Sequence, residues 1–291
     1  MGRWDVARPL AVAAAVVVGA AGGALADLPA SYAKADAVDC DKFAEPTVVT
    51  EGDEVSYRFD SDPKYRNACG MANAAAALWG SGYRKVKDAG GNPKDAADLR
   101  EFFEWVCDDY AAMVGGGDDP YPGMGLAQQI AYMNRYTSDP KTSTNPNENP
   151  RRKADGHANV ADGANYPLTG QQQNEVKQKL HDCSMVSLIL RGEGGLAHET
   201  QMAGWAEDGT FRIYDPDTDR AVWDDENQTW TFEDMEFWTS SLTDDRWRLT
   251  SESGETFDVI GYKTFAIPAP GAAVLGLIGL GMIGRVRKRF G

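Results

Sequence analysis

The spacing of apolar residues changes along the chain from a helical to a strand-like period. Residues 44–60 alternate weakly, with Val48, Val49, Val55, Tyr57 and Phe59 apolar, and predict strand at the entry to a domain. From Asn67 to Gly80 the run Cys69-Gly70-Met71-Ala72-Asn73 and its alanine-rich continuation predict a helix that Gly80 can terminate. A second helix is expected to open at Asn92-Pro93, a capping residue followed by a first-turn proline, with Leu99, Phe102, Phe103, Val106, Tyr110 and Met113 as its apolar stripe. A third is expected over Leu126 to Tyr136, with Leu126, Ile130 and Met133 facing inward. Thr137 to Leu168 is polar and rich in Pro, Asn and Asp, and reads as a long loop.

Beyond it the period shortens. Thr169 caps a helix through Leu180, and Ser184 to Leu190 reads as a buried strand. Leu196 to Trp205 and Thr210 to Tyr214 flank the turn signal Glu207-Asp208-Gly209 and predict a hairpin. Phe257 to Phe265 is the last expected strand. Helices first and strands second predict an α+β domain.

The ends of the 291-residue chain have a different character. Arg3 and Arg8 precede an apolar run from Leu10 to Gly19 and the small-residue site Ala24-Leu25-Ala26, the layout of a signal peptide over residues 1–26. At the other end Pro268-Ala269-Pro270 precedes the apolar, glycine-rich stretch Ala272 to Gly284 and the cluster Arg285-Val286-Arg287-Lys288-Arg289. This tail, 267–291, resembles the PEP-CTERM sorting signals, with Ala269 where glutamate is usual. The resemblance implies handling by an envelope sorting machinery, with the tail transiently or permanently in the membrane as a transmembrane helix. The expectation is an exported protein, cell-envelope or extracellular, with one domain at 27–266. A net charge of −15 argues against nucleic acid and anionic membrane surfaces as partners.

The candidate chemistry begins with the cysteines at 40, 69, 107 and 183. An exported compartment permits disulfides, so an even count allows two bridges, or one bridge if a cysteine is a nucleophile. Cys69 is the nucleophile candidate, because the unsatisfied N–H groups at a helix start favour thiolate over thiol. A base must be one of three histidines: His157 in the polar loop, His181 at a helix end or His198 on a strand. On that strand His198, Thr200, Met202 and Gly204 share one face, and Ala197, Glu199, Gln201 and Ala203 the other. The returning strand delivers Asp215-Pro216-Asp217, and either aspartate can orient the imidazole, depending on the hairpin loop.

Cys69-Gly70 at a helix start, then His198-Glu199-Thr200-Gln201-Met202-Ala203-Gly204-Trp205, then Ile213-Tyr214-Asp215-Pro216, resembles the papain-like cysteine peptidases, nearest their bacterial double-glycine-peptidase-like branch. The resemblance spans roughly residues 65–217 and implies a papain-like α+β fold, N-terminal helices packed on a C-terminal antiparallel sheet. It implies a triad of Cys69, His198 and Asp215 acting on a peptide or protein substrate through a thioester, with no cofactor and no metal. The glutamine expected about six residues before the cysteine is absent, which leaves Asn67 or a backbone N–H as oxyanion donor. Met71 replaces the frequent proline after Cys-Gly.

Other readings stay open beside this one. A non-catalytic envelope or matrix protein on the same fold is the alternative, and a transferase with the same triad is a third. Asp215, Asp217, Asp219, Val222 and Glu226 follow a calcium-loop spacing, with Arg220 where glycine is needed. Trp223, Trp230, Phe232, Phe237, Trp238 and Trp247 are read as packing for the C-terminal half, or as a grip on polysaccharide or peptide.

Overall fold

The computed structural model describes residues 28–38, 47–51, 54–58, 65, 67–114, 125–142, 152–161, 164–182, 184–195, 197–216, 221–224, 229–232 and 235–266. The segments expected as signal peptide (1–26) and sorting tail (267–291), together with Cys40, Cys183 and Asp217, lie outside the described residues.

Chain order is β1 (Tyr32–Ala33), β2 (Thr47–Glu51), β3 (Glu54–Arg58), α1 (Cys69–Gly80), β4 (Lys85–Lys87), β5 (Pro93–Asp95), α2 (Leu99–Val114), α3 (Leu126–Ser138), β6 (Lys153–Ala161) and β7 (Ala164–Tyr166). Then come α4 (Gly170–His181), β8 (Met185–Arg191), β9 (Ala197–Trp205), β10 (Phe211–Tyr214), β11 (Ala221–Asp224), β12 (Thr229–Phe232), β13 (Glu236–Thr243), β14 (Arg246–Thr250) and β15 (Thr256–Ala266).

The expected papain-like arrangement, N-terminal helices packed on a C-terminal antiparallel sheet, does not hold. Six antiparallel strands close on themselves: β8 pairs β9, β9 pairs β10, β10 pairs β13, β13 pairs β14, β14 pairs β15, and β15 returns to β8. The result is a β-barrel with added strands and four helices among the described residues. The strands that complete the ring, β13 and β14, are those the sequence reading passes over. Their burial alternates as a strand half-turned to a core should, with Glu236, Trp238, Trp247 and Leu249 buried between exposed or partly exposed neighbours. Their turn, however, lacks the usual Asn-Gly or Asp-Gly signal. Asp244 and Asp245 both take positive φ, 53° and 56°, and Thr243 pairs with Arg246 around them. The Asp245 carboxylate accepts a 2.9 Å hydrogen bond from Gly170 N–H at the start of α4, a tertiary contact that helps hold the turn.

Two hydrophobic clusters organise the molecule. One gathers α1, α2 and α3 around Phe102, Phe103, Tyr110, Tyr132 and Tyr136. The other fills the barrel with Leu188, Met202, Trp205, Phe211, Trp238, Trp247, Leu249 and Val259, and adds Val176 and Leu180 from α4. The aromatic residues Trp238 and Trp247 therefore pack the core, whereas Phe237 is exposed. The side chains of Trp223, Trp230 and Phe232 lie outside what is described.

Three further expectations change. Asn92-Pro93 does not open a helix: Pro93 starts β5, which pairs with β4, and Asp98 caps α2 by accepting the Glu101 N–H at 2.8 Å. On α3 the buried positions are Gln129, Tyr132, Met133, Tyr136 and Thr137, with Leu126 and Ile130 only partly buried. The polar stretch 137–168 is not all loop, since it contains β6 and β7, and β6 pairs with β15 from Ala158↔Gly261 to Lys153↔Ala266. Elsewhere the sequence and structure agree closely: α1 ends at Gly80, Thr169 caps α4 by accepting the Gln172 N–H, and the β9–β10 hairpin turns through Gly209 at φ 87°.

Candidate active site

The site forms where the helical cluster meets β9. Ala68 N–H bonds the Tyr65 carbonyl at 2.8 Å and closes a turn before α1, while Tyr65 is buried against Phe103 at 4.9 Å between ring centres. That anchor sets the start of the helix. Its N-cap residue, Ala68, supplies no side-chain cap to the first-turn N–H groups of α1. Cys69 is partly exposed, and neither it nor Cys107 is in a disulfide.

His198 stands on β9 opposite Leu190 of β8. The β9–β10 ladder runs Trp205↔Phe211 and Gly204↔Arg212, then shifts register, so that Tyr214 pairs with Gln201. Asp215, the residue after β10, reaches His198 directly, while Asp217 lies outside the described residues. His198 Nε2 lies 2.7 Å from Asp215 Oδ1, with side chains 15% and 12% exposed. A carboxylate only accepts, so Nε2 carries the proton and Nδ1 is the nitrogen left for the thiol. Burial alone would push the imidazole towards its neutral form. The Asp215 charge and hydrogen bond, joined by a hydrogen bond and charge interaction with Cys69, reverse this and hold His198 well above the ordinary histidine range. Phe257 flanks the ring at 6.2 Å and stacks on Trp238.

The structure thus brings Cys69, His198 and Asp215 together. Asn67, the expected oxyanion side chain, sits exposed in the turn before α1. His157 is exposed on β6 and bonds Asn159 and Gln172, and His181 is exposed beside Asp182; neither belongs to the site.

The sequence reading missed a buried polar layer beneath the triad. Lys263 on β15 forms a 2.7 Å ion pair with Glu199, their side chains 1% and 4% exposed. The same ammonium donates to the Gly70 carbonyl at 3.4 Å and to Gln129 Oε1. Asn73 donates to the carbonyls of Cys69 and Glu199. The signals were present: a lysine inside an apolar final strand and an asparagine inside a run of alanines are costly choices unless each is partnered. Glu199 was assigned to the face away from His198, and that is where it meets Lys263.

Among the described residues no group of three or more His, Cys, Asp or Glu side chains could hold a metal ion, and no helix is long and apolar enough to cross a membrane. Asp217, Asp219 and Glu226 of the calcium-loop spacing lie outside the described residues. No family model, no curated protein and no solved structure matches the chain.

Proposed function

We propose that this chain is an exported cysteine hydrolase that cleaves peptide bonds. The observation that carries the reading is the 2.7 Å contact of the His198 imidazole with the Asp215 carboxylate, on a ring that also interacts electrostatically with Cys69. An imidazolium beside a sulfur favours the thiolate, the form that attacks a carbonyl. The oxyanion that develops is best met by the first-turn N–H groups of α1, to which the N-cap residue Ala68 offers no side-chain cap. His198 then gives its Nδ1 proton to the leaving amine, and a thioester remains on Cys69. In the second half His198 takes a proton from water, the hydroxide displaces the thiolate, and the carboxylic acid leaves. Asp215 holds the ring in the orientation both halves require. The leader and tail patterns of the sequence support export as the setting and an envelope protein or peptide as substrate.

The test is a peptidyl vinyl sulfone, an electrophile that traps a nucleophilic thiol, together with a fluorogenic peptide library. We expect a covalent adduct on Cys69 and turnover that disappears in both Cys69→Ala and His198→Ala. An adduct without turnover of any peptide points instead to a peptide-binding protein that keeps the site. No adduct on folded protein refutes the reading.

A further inference from the structure

Asn73 is 2% exposed and stands one helical turn after Cys69, in a helix whose other buried residues are glycine, alanine, methionine and leucine. Asparagine is a poorer helix former than alanine, so its place in this run is not explained by helix stability. Its carboxamide nitrogen has two N–H groups and meets two main-chain carbonyls: that of Cys69 at 2.9 Å and that of Glu199 at 2.7 Å. Cys69 is the nucleophile, and Glu199 follows the base His198 in the chain. Glu199 also lies two residues beyond Gln201, where the pairing of β9 with β10 ends. One side chain thus joins the backbone of the helix that carries the sulfur to the backbone of the strand that carries the imidazole.

We infer that Asn73 is a positioning residue, a carboxamide clamp that sets the separation of the Cys69 sulfur from the His198 ring; the inference rests on the cysteine hydrolase reading above. α1 belongs to the helical cluster and β9 to the barrel; apolar packing joins the two through Met185 of β8 and Phe265 of β15, and the Asn73 carboxamide adds a directional tie between α1 and β9 beside the site itself. The Lys263–Glu199 ion pair with its bond to the Gly70 carbonyl is a second tie between the same two elements. It acts through a side chain of β9, whereas Asn73 acts through main chain on both sides. The charged groups around the pair are Asp215 after β10, Glu199 on β9 and Lys263 on β15.

The experiment is iodoacetamide alkylation of the full chain from about pH 5 to about pH 9, a range that spans imidazole and thiol titration, with the rate at Cys69 read by peptide mass mapping. Wild-type Cys69 should react rapidly in the acidic part of that range and lose the advantage in His198→Ala. Asn73→Ala should slow Cys69 at about pH 6 by about ten- to a hundredfold, the scale of a misplaced reacting pair, and should converge on wild type at the alkaline end. Leu78→Ala, a fully buried change in the same helix, should lower thermal stability and leave the pH profile alone. Asn73→Ser keeps a single donor and should fall between; if the alanine variant does not fold, the serine variant is read by the same standard. An Asn73→Ala profile that overlays wild type while His198→Ala shows its loss overturns the clamp and leaves the hydrolase reading intact. A wild-type profile indifferent to His198→Ala overturns the hydrolase reading and removes the clamp with it.

Discussion

Replacing Asp215 by asparagine tests the electrostatic core of the site without changing its shape. Asparagine keeps an oxygen to accept the Nε2 proton of His198, so the perturbation removes the charge and spares the hydrogen bond. The contact is 2.7 Å and both side chains are largely buried, 15% and 12% exposed. A hydrogen bond to a charged group contributes about 1.5–3 kcal/mol against about 1 kcal/mol for a neutral one. The expected loss is therefore about 1–2 kcal/mol, or roughly 2–8 °C in melting temperature for a domain of this size. The sign of its pH dependence follows from the direction of the shift. His198 is held above the ordinary histidine range, so its contribution is complete below the unfolded value, about pH 6.5, and fades as pH rises through the folded value. Thermal melts of wild type and Asp215→Asn should differ most in mildly acidic buffer and draw together in alkaline buffer. A gap that is constant across pH, or that widens as pH rises, would refute the imidazolium–carboxylate pair.

Two further outcomes follow from the packing. A Cβ at Gly204 would sit 2.1 Å from the Tyr32 carbonyl oxygen, so Gly204→Ala must push β1 off the end of β9; urea denaturation should show a loss of about 1–3 kcal/mol. Lys263→Met strands the Glu199 carboxylate in the interior and should cost about 3–5 kcal/mol by the same assay, and Lys263→Met combined with Glu199→Gln should recover much of it. A double variant no more stable than the single one would count against the charge argument.

How far the sequence could be read depended on whether a signal was local. Cys69 at a helix start, His198 on a strand and the capped α4 rest on short-range chemistry, and all three are where the sequence puts them. The pairing of β9 with β10 carries a register shift between Arg212 and Ile213, which alternation alone cannot reveal, and it changes which residues after β10 share a face with His198. Ring closure was illegible for a related reason: the sequence pattern gives a strand's inward face but not its partner, and the Asp244-Asp245 turn adopts a conformation more often built from Asn-Gly. Pro93 misled because a proline after asparagine suits a helix start as well as a strand edge, and pairing with Lys87 decided for the strand. In the buried layer, Asn73 among alanines and Lys263 in an apolar strand are visible as misplaced polar residues, but their partners lie far along the chain and only the fold names them.

The last strand has a consequence for how the protein comes into being. Lys263 and the Gly70 carbonyl it holds are 193 residues apart, and β15 supplies two of the six seams of the barrel. Contacts of such sequence separation form late, after local helices and hairpins. A chain that has folded α1 and the β9–β10 hairpin but has not docked β15 lacks the Lys263 tie and two of the six seams. The barrel wall that carries His198 is therefore closed by the docking of β15, and the site gains its full support in the same step as the fold.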